Sequence, residues 1–299
     1  MKVTRSDFLS KGTRCAADLY LPENASRPPL VIMAHGVAAH RDFRLPAFAE
    51  RFAARGLAVL LFDYRNFGDS GGEPRNLVSP WRQLSDWQAA IGHGRSLAEI
   101  DGTRMALWGS SFGGGHVLIT AARTPNITAV VAQVPFVDGL ASVFLHGPGY
   151  LVRSVFHGLR DGLRQLTGQR PFCIPVVADP AGFALMNSPD SRPGYLALVP
   201  RDSTWQNECP ARVLLSGPFY RPTWYAGKIR AKVLIVYAAK DSLIPPRMTE
   251  RTIRKIENAV AVSLPVGHFD VYVGEAFERA VGLEVDFLVE QLGVVYPEG

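Results

Sequence analysis

The chain has 299 residues, 47% hydrophobic and 20% charged, with a formal net charge of +5. That is an ordinary soluble composition, enough for one large domain or one domain carrying an insertion. The basic residues are mostly arginines scattered along the chain, with no block of five like charges and no basic run interleaved with aromatics, which argues against nucleic acid as a partner. No apolar run reaches about 18 residues, so no membrane span is expected. Before Lys11, the residues Lys2, Arg5 and Asp7 interrupt any leader-like apolar core. The cysteines, Cys15, Cys173 and Cys209, are odd in number and widely spaced, which fits a reducing, cytoplasmic setting better than a disulfide framework.

Residues 3–22 carry Phe8, Ala16, Leu19 and Tyr20 and read as one or two strands at a sheet edge, followed by a turn from Glu23 to Pro29. Leu30 to Ala34 is a continuous apolar run, and Leu57 to Tyr64 is another, interrupted only by Asp63. Between them Pro46 suits the first turn of a helix, Phe48 and Phe52 share one face, and Gly56 suits the position after its end. Unbroken apolar strands separated by amphipathic helices imply a parallel sheet covered on both faces. The alternation continues. Ser79-Pro80 opens a helix with Leu84, Trp87 and Ile91 on one side, and a strand at 104–108 leads into a helix from Phe112. Strands at 127–134, 233–237 and 260–264 and helices at 246–256 and 273–292 follow. The order gives an α/β, doubly wound, mostly parallel sheet.

About a hundred residues separate Val134 from Val233, more than such a connection requires. Tyr150 to Gly168 is an amphipathic helix with Leu151, Val155, Leu159, Leu163 and Leu166 on one face. Residues 171–200 read as irregular, and Ser203 to Leu215 as helical with an interruption at Pro210. Residues 137–228 therefore form an inserted helical lid, and 1–136 with 229–299 the core.

The strand at 104–108 meets its helix across Gly109-Ser110-Ser111-Phe112-Gly113. A strand that becomes a helix within one residue forces the middle residue into a strained, exposed conformation, and glycines two before and two after remove the Cβ atoms that would clash. This spacing makes Ser111 the apex and Ser110 the spacer. A serine hydroxyl is a poor nucleophile at neutral pH. It needs a base, and the base needs a partner to fix its tautomer.

In a doubly wound sheet such groups sit at the carboxyl ends of strands. His268, in the loop after the last strand, meets that condition for the base. His116 falls one helical turn past Ser111 and points into packing. The acid must follow a strand between serine and histidine. Asp241 does so, and Asp138 is the alternative, equally able to cap a helix. Backbone N–H donors for an oxyanion would come from Phe112, after the nucleophile, and from Val37, in the His35-Gly36-Val37 loop. Gly68-Asp69-Ser70-Gly71-Gly72 spells the GDSGG of trypsin-like proteases, but Ser70 follows a parallel strand early in the chain, and it reads as a loop bordering the site. His35 and His40 have no further ligand nearby, so no metal site is expected.

With these residues placed, the chain resembles the α/β-hydrolase superfamily across about 25–292, the insertion apart. The order Ser111, Asp241, His268 is that superfamily's order. Ala34-His35-Gly36, Phe62 to Gly72, Trp108 to Gly115 and Trp205-Gln206-Asn207 are similar to the dienelactone-hydrolase-like and acetyl-xylan-esterase-like branch, which also holds fungal polyketide acyltransferases. The resemblance implies hydrolysis or transfer at an ester, thioester or amide carbonyl without a cofactor. The serine departs from the cysteine of true dienelactone hydrolases, whose cysteine chemistry is not expected here.

The leading expectation is a serine esterase acting on a small to medium, largely apolar acyl substrate. An acyltransferase using the same triad is the alternative. A proline-specific peptidase and a silent binding protein on the same fold stand behind both. The partner is a small molecule, and a homodimer stays open. Specificity is expected in the lid, with Phe144, Tyr150, Phe156, Phe172 and Phe183 over Ser111, and with His35 beside it.

Overall fold

The computed structural model describes residues 1–23 and 25–294. Its N-terminal part contains β1 (Lys2–Arg5), β2 (Phe8–Ser10), β3 (Thr13–Cys15), β4 (Ala17–Leu21), β5 (Pro29–Ala34), α1 (Leu45–Ala54), β6 (Ala58–Phe62), α2 (Pro80–Ser96), β7 (Asp101–Ser110), α3 (Phe112–Arg123) and β8 (Ala129–Gln133). The segment between β8 and the next sheet strand holds α4 (Gly139–Val143), α5 (Pro148–Leu166), β9 (Cys173–Ile174), α6 (Ser191–Leu196), β10 (Cys209–Pro210) and α7 (Val213–Ser216). β11 (Lys232–Ala238), α8 (Pro246–Ile253), β12 (Ala259–Leu264) and α9 (Gly274–Leu292) complete the chain.

Eight strands form one sheet in the order β1-β4-β6-β5-β7-β8-β11-β12. β1 and β4 are antiparallel at one edge, and β6 through β12 run parallel. Every residue of β5, β6 and β8 is buried, which is why these strands read as apolar runs, broken only by Gln133 at the end of β8, instead of alternating. The N-terminal region holds more strands than the one or two expected. Only β1 and β4 join the sheet, and β2 and β3 fold back as a separate hairpin.

α1 packs with α9, and α2 with α3. On the α1 and α9 side, Trp108 from β7 meets the rings of Phe48 and Phe52. Its indole Nε1 donates to Glu284 Oε2 of α9 at 2.8 Å. Gly56 ends α1 with φ +79°, a conformation glycine adopts without a Cβ penalty.

The winding sets the site. From β5 the chain moves outward to β6, then crosses back past β5 to β7. Ala34 and Gly109 are paired neighbours at the carboxyl ends of β5 and β7. That reversal opens a crevice where the loops after the two strands face each other.

The inserted segment differs from expectation at 203–215. Residues 203–210 are not helical, and only Val213–Ser216 forms an α-helix. Cys209 and Pro210 pair with Ile174 and Cys173 as two short antiparallel strands. The Asn207 side chain acts as a further rung: its Oδ1 accepts from the N–H groups of Val176 and Val177 at 3.0 and 2.9 Å, and its Nδ2 donates to the Val177 carbonyl at 2.9 Å. These long-range bonds outcompete a local helix that Pro210 already disfavours. The three cysteines are free thiols. Among the described residues no helix is long and apolar enough to cross a membrane.

Glu284 gives this core a pH dependence. Burial pushes its carboxyl up to about 8, against the opposing pull of the Trp108 hydrogen bond. A carboxyl raised in the folded state supports the fold fully below its unfolded value of 4.5 and loses that contribution as pH climbs through 8. Glu284→Gln keeps an acceptor for Trp108 and removes the titration. Its Tm is expected to exceed the parent's at pH 8.5 and to lose that advantage at pH 5. Parallel Tm-against-pH curves for the two proteins would contradict the assignment.

Candidate active site

Ser111 is the first residue beyond β7 and has φ 55°, ψ −117°, outside the regions an L-residue occupies comfortably. Its N–H donates to the Gln133 carbonyl at 2.9 Å, and its carbonyl accepts from Gly115 at 3.1 Å and Phe136 at 2.8 Å. The flanking glycines permit the turn. A Cβ on Gly109 would collide with the Gly113 carbonyl, and one on Gly113 would stand 2.6 Å from the His35 carbonyl. Gly36 brings the loop after β5 close enough that a Cβ there would lie 3.2 Å from Ser111 Cβ. Ser110 points the other way. Its buried hydroxyl bonds the Tyr272 hydroxyl at 2.5 Å and accepts from Gln133 Nε2 at 3.0 Å, anchoring the strand end from beneath.

The structure brings Ser111, His268 and Asp241 together. His268 Nε2 lies 3.1 Å from Ser111 Oγ, and its Nδ1 lies 2.7 Å from Asp241 Oδ2. The other carboxylate oxygen, Oδ1, accepts from the N–H groups of Leu243 and Ile244 at 2.9 and 2.8 Å, which fixes the carboxylate plane. An ionised carboxylate only accepts, so Nδ1 donates to Asp241, and Nε2 is left to accept from the serine hydroxyl. Asp138, the alternative acid, is committed elsewhere. It caps α4 through Ala141 N–H at 3.1 Å and holds Arg221 in a two-point pair at 2.8 and 2.7 Å.

The other expected positions fall as follows. Phe112 is the first residue of α3, where backbone N–H groups have no partner within the helix. Val37 faces the same space from the loop after β5. His35 is fully buried, with Nδ1 bonded to the Gly36 carbonyl at 2.9 Å and its ring edge-on to Tyr64 and Phe67. Burial pulls it down to about 4 despite Asp63, so at neutral pH it is an uncharged part of the loop's foundation. His116 is buried too, between Tyr220 and Gln83. Ser70 Oγ donates to the Asp63 carbonyl and accepts from Ala16 N–H, both at 2.8 Å, so the GDSGG stretch is a structural loop.

A cavity of about 360 Å³ rises from Ser111, with Val37 and Phe112 at its base and Tyr150, Leu151 and Val155 on its wall. Tyr150 is held there by its hydroxyl bond to the Ala184 carbonyl at 2.9 Å. Phe144 and Phe156 are not among the lining residues. They are 75% and 62% exposed, Phe144 at the end of α4 and Phe156 on the outward side of α5. Phe183 packs behind Tyr150, and Phe172 stacks on His157.

Residues 188–205 of the inserted segment contribute what no local pattern announced. Tyr195 donates to the Val37 carbonyl at 2.9 Å, and Trp205 Nε1 to the Ala38 carbonyl at 2.8 Å. Ser242, beside Asp241, donates its hydroxyl to Asp190, and its Oγ lies 2.9 Å from Ser188 Oγ. Gly194 lies against the Phe269 ring, where a Cβ would come within 2.5 Å. One segment thus clasps the loops of Val37, Asp241 and His268. Trp205 was visible in the sequence only through its resemblance stretch, and Tyr195 carried no signal.

An eight-stranded, mostly parallel sheet with a serine at such a turn defines an α/β-hydrolase-type enzyme. The chain belongs to the Hydrolase_4 family, described as serine aminopeptidase, S33, whose model matches residues 26–264. It is similar to the quorum-quenching protein AidA of Acinetobacter baumannii (strain MDR-ZJ06), 43% identical over 281 residues, 94% of this chain and 92% of that one. The polyketide transferase ATR5 of Stachybotrys chlorohalonatus is 25% identical over 280 residues, 91% of this chain and 92% of that one. The crystal structure of α/β hydrolase GrgF from Penicillium sp. sh18 superposes with a TM-score of 0.85 at 22% identity, covering 98% of this chain and all of that one, a likeness of fold.

The packing at the turn is directly testable. Gly113→Ala forces a methyl group onto the His35 carbonyl, and overpacking of this kind costs about 1–3 kcal/mol. Urea unfolding should show a loss of that size. Parental stability would mean that the turn has slack.

Proposed function

We propose that the protein is a serine hydrolase that cleaves the ester or thioester of a small to medium, largely apolar acyl group. The observation that carries this reading is the hydrogen-bonded line from Ser111 through His268 to Asp241 at the floor of an apolar cavity. Ser111 Oγ attacks the carbonyl carbon as His268 Nε2 takes its proton. The carbonyl oxygen becomes an oxyanion that accepts from the Val37 and Phe112 N–H groups. Collapse breaks the bond to the leaving alcohol or thiol, which takes the proton from His268, and leaves the acyl group on Ser111. Water, deprotonated by the same imidazole, releases the acid and restores the serine. Asp241 holds the imidazole in the required tautomer. Each oxyanion donor contributes a factor of roughly 10²–10³ in rate.

In this reading residues 137–228 act as a lid, whose α5 and Tyr150 select the acyl chain. A second reading keeps the triad and changes the acceptor. The similarity to a polyketide transferase favours transfer of the acyl group to an alcohol or amine when that acceptor outcompetes water. The similarity to a quorum-quenching protein adds signalling molecules with hydrolysable acyl bonds to the substrates for assay.

Ser111→Ala is expected to lower kcat for p-nitrophenyl esters by about 10⁴-fold or more, since members of a triad act as a unit. Asp241→Asn should be crippling and Asp138→Asn mild. The reverse result would move the acid to the loop after β8.

Tyr195→Phe removes only the hydroxyl that holds the Val37 carbonyl. The expected result is a kcat about tenfold lower at nearly constant KM, short of the full loss of an oxyanion donor. A raised KM with unchanged kcat would place Tyr195 in substrate binding instead.

A further inference from the structure

Amphipathic helices in globular proteins turn their apolar side inward. α5 does the reverse. Its buried residues are Ser154, Gly158 and Asp161. Asp161 is locked to the body, accepting from Arg212 Nε at 2.6 Å and from the Phe172 N–H at 2.9 Å. The apolar residues face out. Leu151, Val155, Leu159 and Leu163 form one row at four-residue spacing, with Val152 and Phe156 beside them, and all are between 42% and 69% exposed. Phe144 and Phe219, each about three-quarters exposed, extend the strip past the start of the helix.

The largest apolar patch of a monomer usually measures about 300–600 Å². Eight large side chains at these exposures exceed that and approach the roughly 800 Å² per partner of a stable interface. No charged residue interrupts the strip. Arg153 and Arg160 border it, but their guanidinium groups lie 4.6 and 4.1 Å over the rings of Phe183 and Phe172, committed to the body of the molecule. The strip holds no Trp or Tyr of the kind that settles at lipid headgroups. A row at four-residue spacing is the ridge that packs into the groove of a like helix. A two-fold axis places such a ridge against itself without bringing like charges together.

We propose that two copies of this chain pair through antiparallel α5 helices, with the axis near Leu159, close to the middle of the row from Leu151 to Leu163. Leu151 and Val155 belong both to the strip and to the wall of the cavity over Ser111, and Phe219 lines that cavity as well. The partner copy therefore covers the cavity's open side and supplies apolar surface to the acyl-binding wall. The pairing stands apart from the proposed chemistry, whereas its effect on acyl selection rests on it.

The test is light scattering and sedimentation equilibrium on the full chain at about 10–50 µM, with Leu159→Glu and Leu159→Lys as variants. Leu159 is 59% exposed, so either charge is tolerated in the monomer, and unchanged circular dichroism checks this. The expected results are twice the 32.7 kDa mass for the parent, a monomer for each variant alone, and a restored dimer when the two variants are mixed. A monomeric parent, or a Leu159→Glu variant that remains a dimer, overturns the pairing. A monomeric parent that floats with phosphatidylglycerol vesicles gives the strip to a lipid surface. If Leu159→Glu is monomeric and still turns over p-nitrophenyl acetate, the preference for longer acyl chains should weaken. An unchanged chain-length profile overturns the cavity role and leaves the pairing intact. Loss of all ester turnover in the parent itself would count against the proposed chemistry alone.

Discussion

At Ser111 the backbone passes from strand to helix within a single residue, at φ 55° and ψ −117°. Such a conformation costs on the order of 1–3 kcal/mol and persists only where its surroundings leave no alternative. Here they are three backbone hydrogen bonds, to Gln133 at the end of β8, to Phe136 in the loop beyond it and to Gly115 of α3, and glycines at 36, 109 and 113, which let the backbones close in. The same closeness sets the distances that matter chemically. The loop after β5 lies this close to the serine because Gly36 has no side chain, α3 folds back on the end of β7 because Gly109 has none, and α3 packs against the end of β5 because Gly113 has none.

The rest of the site depends on the sheet keeping that turn rigid. Unlike hydrophobic side chains at the rim, the groups that orient the catalytic candidates are mostly backbone or buried polar atoms. Asp241 is held by two N–H groups, Ser110 by Tyr272 and Gln133, and the loop of Val37 by Tyr195 and Trp205. The first two arrangements come from the core around the sheet: the loop after β11, and Gln133 of β8 with Tyr272 from the segment after β12. The third comes from the inserted segment, so that segment sets the geometry on which an oxyanion would depend as well as the wall of the cavity. A change in its packing should therefore reach both rate and selectivity.

The sheet was legible in the sequence because its cause is local. Strands buried on both faces read as apolar runs, and Leu30 to Ala34, Ala58 to Phe62 and Ala129 to Ala132 do. Ser111, Asp241 and His268 stood out as candidates because strand-end loops are few, although Asp138 met the same condition as Asp241. The inserted segment was harder to read because its order comes from contacts far apart in the chain. The stretch at 203–210 looks helical in isolation, yet the Asn207 amide fixes it to Val176 and Val177. The surplus of aromatics in the insertion suggested that Phe156 would line the pocket over Ser111, but α5 buries the side that carries Asp161, paired with Arg212, and leaves Phe156 exposed. Tyr195 reaches Val37 across 158 positions, a bond that no periodicity encodes.

The central claim is that Ser111 is made reactive by His268. A fluorophosphonate probe forms a stable adduct only with an activated serine. Digestion and mass spectrometry of the labelled protein identify which serine carries it, and a parallel reaction with His268→Ala measures the dependence on the imidazole. The account predicts a single adduct on Ser111, forming far more slowly in His268→Ala. An adduct on Ser70 or Ser110, or labelling of Ser111 at the same rate without the imidazole, would contradict it.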